Sequence, residues 1–335
     1  MESEICYLLL LPYKANGKVG PAVSIASPKD APYFFDMGIE VRSTWGDRKM
    51  TAAGTAVRVK LQVLDDLVWV ADCRYRLDAP VGTQVIAKKE EIHAAIQTQL
   101  RQELDIEDEL AEEFTILLKE KEDDDPDGLV DRNEVDLVSF LRSLKRPISK
   151  KDAAGALHSR VRYSTDELTL VDWSGALIIC GAGDFEPDIE LLKVGKFQLF
   201  RYRLIDRDLQ QMLQQIRTEI TARRRKLFRR PPSRTIREIV QKRLELLLDF
   251  EEIDQSLLMI GDWYSAELYT LIFKRFSLSE WKQIIEGKLN SLESIHSAVE
   301  ENLRFSWFRW IDFIVYWGWA VLMVIYFIQL FIDLQ

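Results

Sequence analysis

The sequence has few of the residues that build metal sites and disulfide frameworks. It contains 3 cysteines and 3 histidines in 335 residues, and Cys6, Cys73 and Cys180 lie far apart with no CxxC or Cys/His cluster. An odd number of scattered cysteines argues against a disulfide framework and is typical of reduced, buried thiols in a cytosolic compartment. A zinc finger needs paired ligands at short spacing, so this class is excluded as well.

Sequence features of catalysis and of export are also missing. His93, His158 and His296 are scattered with no nucleophile beside them, and an isolated histidine is more often structural than catalytic. The segment CGAGD at 180–184 lacks the third glycine of a dinucleotide-binding turn. The N-terminal MESEICYLLLLPYK begins with acids and is interrupted by Pro12, unlike a signal peptide. We therefore predict a non-enzymatic protein with no cofactor and no small-molecule substrate.

The charge balance is acidic overall and strongly segregated. With 45 basic against 54 acidic residues the net charge is −9, which argues against a protein that coats nucleic acid along its whole length. The basic residues concentrate around two prolines, in a segment that could bind phosphates of RNA or of anionic lipid headgroups. The alternative is a solvated tip that pairs with the acidic loop or repels other copies. This basic tip comprises Arg223, Arg224, Arg225, Lys226, Arg229, Arg230, Arg234 and Arg237.

The stretch DDDPDGLVDRNE has the spacing of a calcium-binding loop. Its oxygen-bearing side chains occupy positions 1, 3, 5, 9 and 12, with Gly128 at position 6. Pro126 is unusual inside such a loop and no second copy exists to pair with it, so a solvated acidic loop is the alternative. The ligands would be Asp123, Asp125, Asp127, Asp131 and Glu134.

Residues 313–332 form an apolar run interrupted only by Gly318 and Gln329. A helix of this length crosses a hydrocarbon core of about 30 Å, so the run predicts one C-terminal transmembrane helix. Basic residues before the run place the N-terminal bulk in the cytoplasm, and indole rings suit the headgroup region. The expected location is a bacterial inner membrane, or an organelle membrane in a eukaryote. The anchor residues are Arg304, Arg309, Trp310, Trp317 and Trp319.

The pattern of apolar residues predicts an α+β fold. Alternating residues at 57–63 and 69–77, joined at Asp65 and Asp66, predict a hairpin in which each strand exposes one face to solvent. Apolar positions every four residues between 88 and 110 predict an amphipathic helix, and the segments 168–171 and 176–180 predict a second hairpin. Three regions follow. They are a mixed α/β head at 1–183, a long helical hairpin and coiled-coil stalk at 184–304, and an anchor at 305–335.

Several segments resemble the family named for being required for meiotic nuclear division, including its uncharacterised bacterial relatives. They are YFFDMGIEV, LTLVDWSGALII, KFQLFRYRLIDRDL and DWYSAELYTLIFKRFSLSEWKQIIEGKLNSLESI. The resemblance implies an α/β head, a helical hairpin and a C-terminal membrane anchor. It also implies a membrane-bound organiser without established enzymatic activity, as in the mitochondrial members that support organelle translation.

Together these features predict a single-pass, membrane-anchored scaffold that organises a cytosolic partner. Its expected partners are membrane lipid, further copies of itself, and an RNA-rich or acidic protein assembly at the basic tip. The alternative is an oligomeric ion-conducting or channel-regulating protein with a cytosolic helical funnel, although the sequence carries no pore signature.

Overall fold

The computed structural model describes residues 2–13, 24–25, 39–78, 83–120, 125–146, 148–223 and 262–333. The chain divides into two units. The first contains Met1–Asp206 and Leu248–Gln283, and the second contains Arg207–Leu247 and Ile284–Gln335.

The first unit is built on a nine-stranded sheet with the strand order β2-β3-β4-β5-β1-β6-β9-β8-β7. Neighbouring strands are antiparallel except β6 and β9, which are parallel. The strands are β1 (Glu2–Pro12), β2 (Ser24–Ile25), β3 (Val41–Ala52), β4 (Thr55–Leu64), β5 (Val68–Asp78), β6 (Glu112–Glu120), β7 (Arg160–Val161), β8 (Leu168–Val171) and β9 (Gly175–Cys180).

The helices in the described ranges lie between these strands and after them along the chain. They are α1 (Thr83–Glu103), α2 (Pro126–Arg132), α3 (Glu134–Leu141), α4 (Lys150–Ala156), α5 (Glu186–Arg223), α6 (Trp263–Arg275) and α7 (Leu278–Asp333). The first part of α7 belongs to the first unit and the rest to the second. The second helix of the predicted hairpin would occupy residues 235–258, which lie outside the described residues.

Both faces of the central strand β1 are buried, which explains its unbroken apolar run. Ile5, Tyr7, Leu9 and Leu11 enter a core shared with Ile92 and Ile96 of α1 and with residues of α2 to α4. The opposite face of the sheet, which includes Cys6 and Leu8, is also fully buried, and α5 and α6 make side-chain contacts there. Three layers result, with the sheet between two sets of helices.

The two predicted hairpins are confirmed. β4 and β5 pair in antiparallel register around a turn in which Asp65 and Asp66 adopt positive φ values of 51° and 50°, a conformation that aspartate tolerates better than most residues. β8 and β9 pair around Gly175, where an added Cβ would lie 2.5 Å from the carbonyl oxygen of Thr115. Only glycine therefore fits that position.

The fold class needs one correction. The α and β elements of the head are present, but among the described residues no helix reaches the length and hydropathy needed to cross a membrane. The predicted transmembrane helix is therefore wrong.

Candidate functional site

Most residues of the predicted basic tip lie outside the described part of the chain. Arg223 is the last residue of α5, and the other seven cations fall between 224 and 237, which the structure does not describe. The side chains of Arg304, Arg309 and Trp310 are likewise outside the described residues. Trp317 and Trp319 are described, and both are exposed on α7.

The acidic stretch that matched a calcium loop folds mainly as helix. Asp127 and Asp131 lie in α2, and Glu134 begins α3. Arg160 lies 3.1 Å from carboxylate oxygens of both Asp127 and Asp131. Arg162 pairs with Asp127 and with Asp125, the latter at 3.2 Å. Guanidinium groups thus pair with three of the five carboxylates predicted to hold a cation, Asp125, Asp127 and Asp131, while Asp123 lies outside the described residues.

The face of the sheet beneath α5 carries a first cluster of buried charges. The Lys193 ammonium lies 2.9 Å from Asp72 and 2.8 Å from Glu190. Arg74 donates to both oxygens of Asp72, at 3.0 and 2.9 Å, and the Cys6 thiol lies 3.3 Å from the same carboxylate. Burial alone would raise the pKa of Asp72, but Lys193 and Arg74 hold that pKa well below its usual range. Asp72 is therefore ionised and fully used within the fold.

Lys196, one turn of α5 after Lys193, lies among three aromatic rings. Its ammonium lies 4.3 Å from the ring centroid of Phe276, 4.6 Å from that of Phe114 and 5.5 Å from that of Trp173. It donates to Glu112 at 2.9 Å. Burial lowers the pKa of Lys196, and the Glu112 carboxylate opposes this shift. Cation–π attraction and one ion pair together offset the desolvation of a side chain with no solvent exposure.

A third buried carboxylate, Asp172, joins the helices at the other end of this face. Arg142 donates to its two oxygens at 2.5 and 2.8 Å, and Arg275 of α6 donates to it as well. Burial raises the pKa of Asp172, but hydrogen bonds from the two arginines lower it below its ordinary value. This bidentate pair anchors the end of α3 and of α6 to the β8–β9 turn.

The one buried histidine of the described region is structural. His93 stacks on Tyr7 with 3.8 Å between ring centroids, and its Nε2 lies 2.7 Å from the Tyr75 hydroxyl. Burial lowers the pKa of His93 well below its ordinary value, so the ring is neutral. One turn earlier, Lys89 donates to the carbonyl oxygen of Phe140 at 2.6 Å, and burial lowers its pKa to about 8. His158 is exposed, and the side chain of His296 lies outside the described residues.

These polar groups lie within the interior of the first unit, between its layers. Among the described residues, no group of three or more His, Cys, Asp or Glu side chains is arranged to hold a metal ion. The sequence did not reveal the buried lysines of α5. The sequence signal for their burial is that Lys193 and Lys196 lie three residues apart within the apolar stretch IELLKVGKFQLF. Ile189 and Phe197 of the same stretch are also buried.

One feature of the described chain that is exposed to solvent is residues 313–325 of α7, here named the C-terminal apolar segment. Its large apolar side chains are between 51% and 76% exposed. A Cβ added at Gly318 would meet nothing within 4 Å. The exposed residues follow one another without a polar interruption, so every face of this part of the helix is apolar. They are Phe313, Ile314, Val315, Tyr316, Trp317, Trp319, Val321, Leu322, Met323, Val324 and Ile325.

The comparisons with known proteins point to one archaeal protein. Residues 50–185 match the family described as "Uncharacterized protein MJ0711, N-terminal domain". The chain is also 25% identical to "Uncharacterized protein MJ0711" of Methanocaldococcus jannaschii over 179 residues, which are 53% of this chain. The match spans 55% of the archaeal protein, about half its length. No solved structure matches the chain.

These matches correct the family resemblance drawn from short segments. The matched family covers β4, β5, β6 and the strands up to β9, and nothing in it links the chain to the family required for meiotic nuclear division. The predicted resemblance is therefore wrong. The membrane-anchored scaffold, its channel-forming alternative and the location in a membrane are wrong as well, since they depended on the transmembrane helix that the described residues do not contain.

Proposed function

We propose that this protein is a non-enzymatic assembly protein that binds further copies of itself through the C-terminal apolar segment. The observation that carries the proposal is the exposure of that segment, in which eleven large apolar side chains within thirteen consecutive positions are 51–76% exposed. A continuous apolar patch of this kind is rare on monomers and marks an interaction site.

The shape of the segment favours other helices as its partners. A helix that is apolar around its whole circumference is suited to the centre of a helical assembly rather than to one face of a globular core. Every copy carries the same segment, so copies related by rotational symmetry bury it against itself. Its tryptophan, tyrosine, phenylalanine and methionine residues are the types enriched in the cores of protein interfaces.

The charge distribution of the first unit supports a non-enzymatic role. The carboxylates of Asp72, Glu112 and Asp172 are each held by cationic side chains of the same chain. Each of these carboxylates is therefore compensated within the fold. Under this proposal the first unit is a rigid head that the C-terminal helix carries into the assembly.

Light scattering on the full chain in the absence of detergent tests the proposal. We expect a mass that is a multiple of 39.0 kDa. The variant Ile314→Gln/Trp317→Gln/Val321→Gln/Val324→Gln should lower that mass to the monomer, since burying one such apolar side chain contributes about 1.5–3 kcal/mol. The matched control is Ile284→Gln, at an exposed isoleucine of the same helix outside the segment, and it should leave the mass unchanged.

Two results would overturn the proposal. One is a monomeric mass for the wild-type chain at all concentrations. The other is an assembly of the same mass in the four-substitution variant. Flotation with phosphatidylcholine vesicles provides a further arm, because a wild-type chain that binds vesicles as a monomer would assign the segment to lipid and contradict self-association.

A further inference from the structure

A second outward-facing surface lies where α6 begins, on the first unit. Tyr163, just after β7, is 58% exposed, and Trp263, the first residue of α6, is 65% exposed. The neighbouring Tyr264 packs edge-on against Tyr163 with 5.2 Å between ring centroids. Helix α6 contacts both β7 and β8, so these aromatic rings are held by ordered elements.

Acidic residues lie close to one of these rings, that of Tyr264. Asp188 lies beneath Tyr264, whose hydroxyl donates to it at 2.7 Å, and Thr169 donates to it as well. Burial raises the pKa of Asp188, the hydrogen bonds from Thr169 and Tyr264 oppose this, and the charges of Glu167 and Asp184 raise it further. The nearby Arg162 is held by Asp125 and Asp127.

We infer that this aromatic–acidic surface, formed by Tyr163, Trp263, Tyr264, Glu167 and Asp184, binds the arginine-rich segment 223–237 of a second copy of the chain. The inference rests on the proposed self-association, because a second copy supplies the occupant. Segment 223–237 carries eight cations and no acid, which complements a cluster of carboxylates.

The chemistry of the two surfaces matches in a second respect. Guanidinium groups bind the faces of tryptophan and tyrosine rings and pair with carboxylates, which favours arginine over lysine as the cation. Segment 223–237 has seven arginines and one lysine, together with Phe228, Pro231 and Pro232, whose rings can pack on exposed aromatic side chains. An acidic chain with a net charge of −9 thereby gains one attractive contact between copies.

Fluorescence anisotropy with a labelled peptide of residues 223–237 and the full chain tests the inference. We expect saturable binding that weakens as salt is raised, and none for a peptide with glutamine at all eight cationic positions. The variants Tyr163→Ala/Trp263→Ala and Glu167→Gln/Asp184→Asn should each raise the Kd at least tenfold. The matched control Glu107→Gln/Glu109→Gln removes two exposed carboxylates elsewhere on the same unit and should leave the Kd unchanged.

The outcomes separate this inference from the proposed function. Absence of saturable binding overturns it, as does an equal loss of affinity in the control, which would show diffuse charge attraction. Thermal unfolding of each variant, monitored by circular dichroism, ensures that only folded variants are compared. The titration is repeated in the four-substitution variant of the apolar segment. If the peptide binds this variant but the wild-type chain forms no oligomer, only the proposed apolar assembly is refuted. If the wild-type chain forms an oligomer but does not bind the peptide, only this surface is refuted.

Discussion

The ammonium of Lys193 lies 2.9 Å from the carboxylate of Asp72, and the two side chains are 0% and 3% exposed. They join α5 to β5 in the first unit. Burial lowers the pKa of Lys193, but Asp72 and Glu190 reverse that effect and hold the pKa above its ordinary value. Each charge is therefore tolerated because oppositely charged partners are present, Arg74 as well as Lys193 for Asp72 and Glu190 as well as Asp72 for Lys193.

Replacing Asp72 by asparagine should destabilise the protein by about 3 kcal/mol, since the buried Lys193 and the half-buried Arg74 each lose a charged partner. Urea unfolding of the wild type and of Asp72→Asn measures the difference. The control is Glu4→Gln, which breaks the exposed pair with Arg58 and should cost less than about 1 kcal/mol. Equal losses in the two variants would show that the Asp72 pair contributes no more than a surface ion pair.

The close contact of α5 with α6 depends on Gly195. A Cβ at this position would lie 2.2 Å from Cγ2 of Ile272 and 3.3 Å from the ring of Phe276. We expect Gly195→Ala to destabilise the protein by about 1–3 kcal/mol through overpacking. Thermal or urea unfolding measures this change.

A second glycine provides the comparison. A Cβ at Gly155 of α4 meets nothing within 4 Å, so Gly155→Ala should be neutral or stabilising by up to about 1 kcal/mol. The double variant Gly195→Ala/Ile272→Ala should lose less stability than the sum of its single variants, because the second substitution removes the clashing methyl group. Strict additivity would place the cost of Gly195→Ala somewhere other than this contact.

Lys89 should make stability depend on pH in the alkaline range. Burial lowers its pKa to about 8 in the folded state from 10.5, so the unfolded chain binds more protons between these values. The free energy of unfolding should rise as the pH increases from about 8 to 10.5, by up to about 3 kcal/mol. Lys89→Met should remove this rise, and the difference between the two pH profiles is the measurement. Parallel profiles would contradict a buried, perturbed Lys89.

The arginines beside the acidic helix should prevent calcium binding. Arg160 and Arg162 pair with Asp125, Asp127 and Asp131. Calorimetric titration of the full chain with millimolar calcium should therefore give no binding heat. A saturable heat in the wild-type chain would show that calcium displaces the arginines. Arg160→Gln/Arg162→Gln is the comparison, since it frees the carboxylates without removing them.

The sequence predicted local structure where the periodicity was strong. Alternation around Asp65 and Asp66 identified the β4–β5 hairpin, and the four-residue spacing of Ile92 and Ile96 identified α1. The parallel pairing of β6 with β9 was not predicted, because a short buried strand carries no record of its distant partner. Its register, with Leu117 opposite Leu177, is set by the whole fold.

Long-range burial also explains the errors at the candidate site. Polar residues alternating along β5 predicted a face exposed to solvent, but Asp72 is 3% exposed because α5 covers that face. On α5, Lys193 and Lys196 point into the structure and meet Asp72 and Glu112. From sequence alone a charged residue is expected to be exposed. Its burial is tolerated only when a partner on a distant element offsets the cost of desolvation.

Disulfide cross-linking tests the contact between copies most directly. Cysteine is introduced singly at Val321, Leu322, Met323 and Val324, which cover one turn of the apolar segment, and at Ile284 as the control. The three native cysteines are buried. If copies associate through the segment, oxidation of these variants should give a covalent dimer in high yield at one or two positions of the turn, and little dimer at Ile284→Cys. Monomer at all four positions, or equal yields at the control, would contradict assembly through this helix.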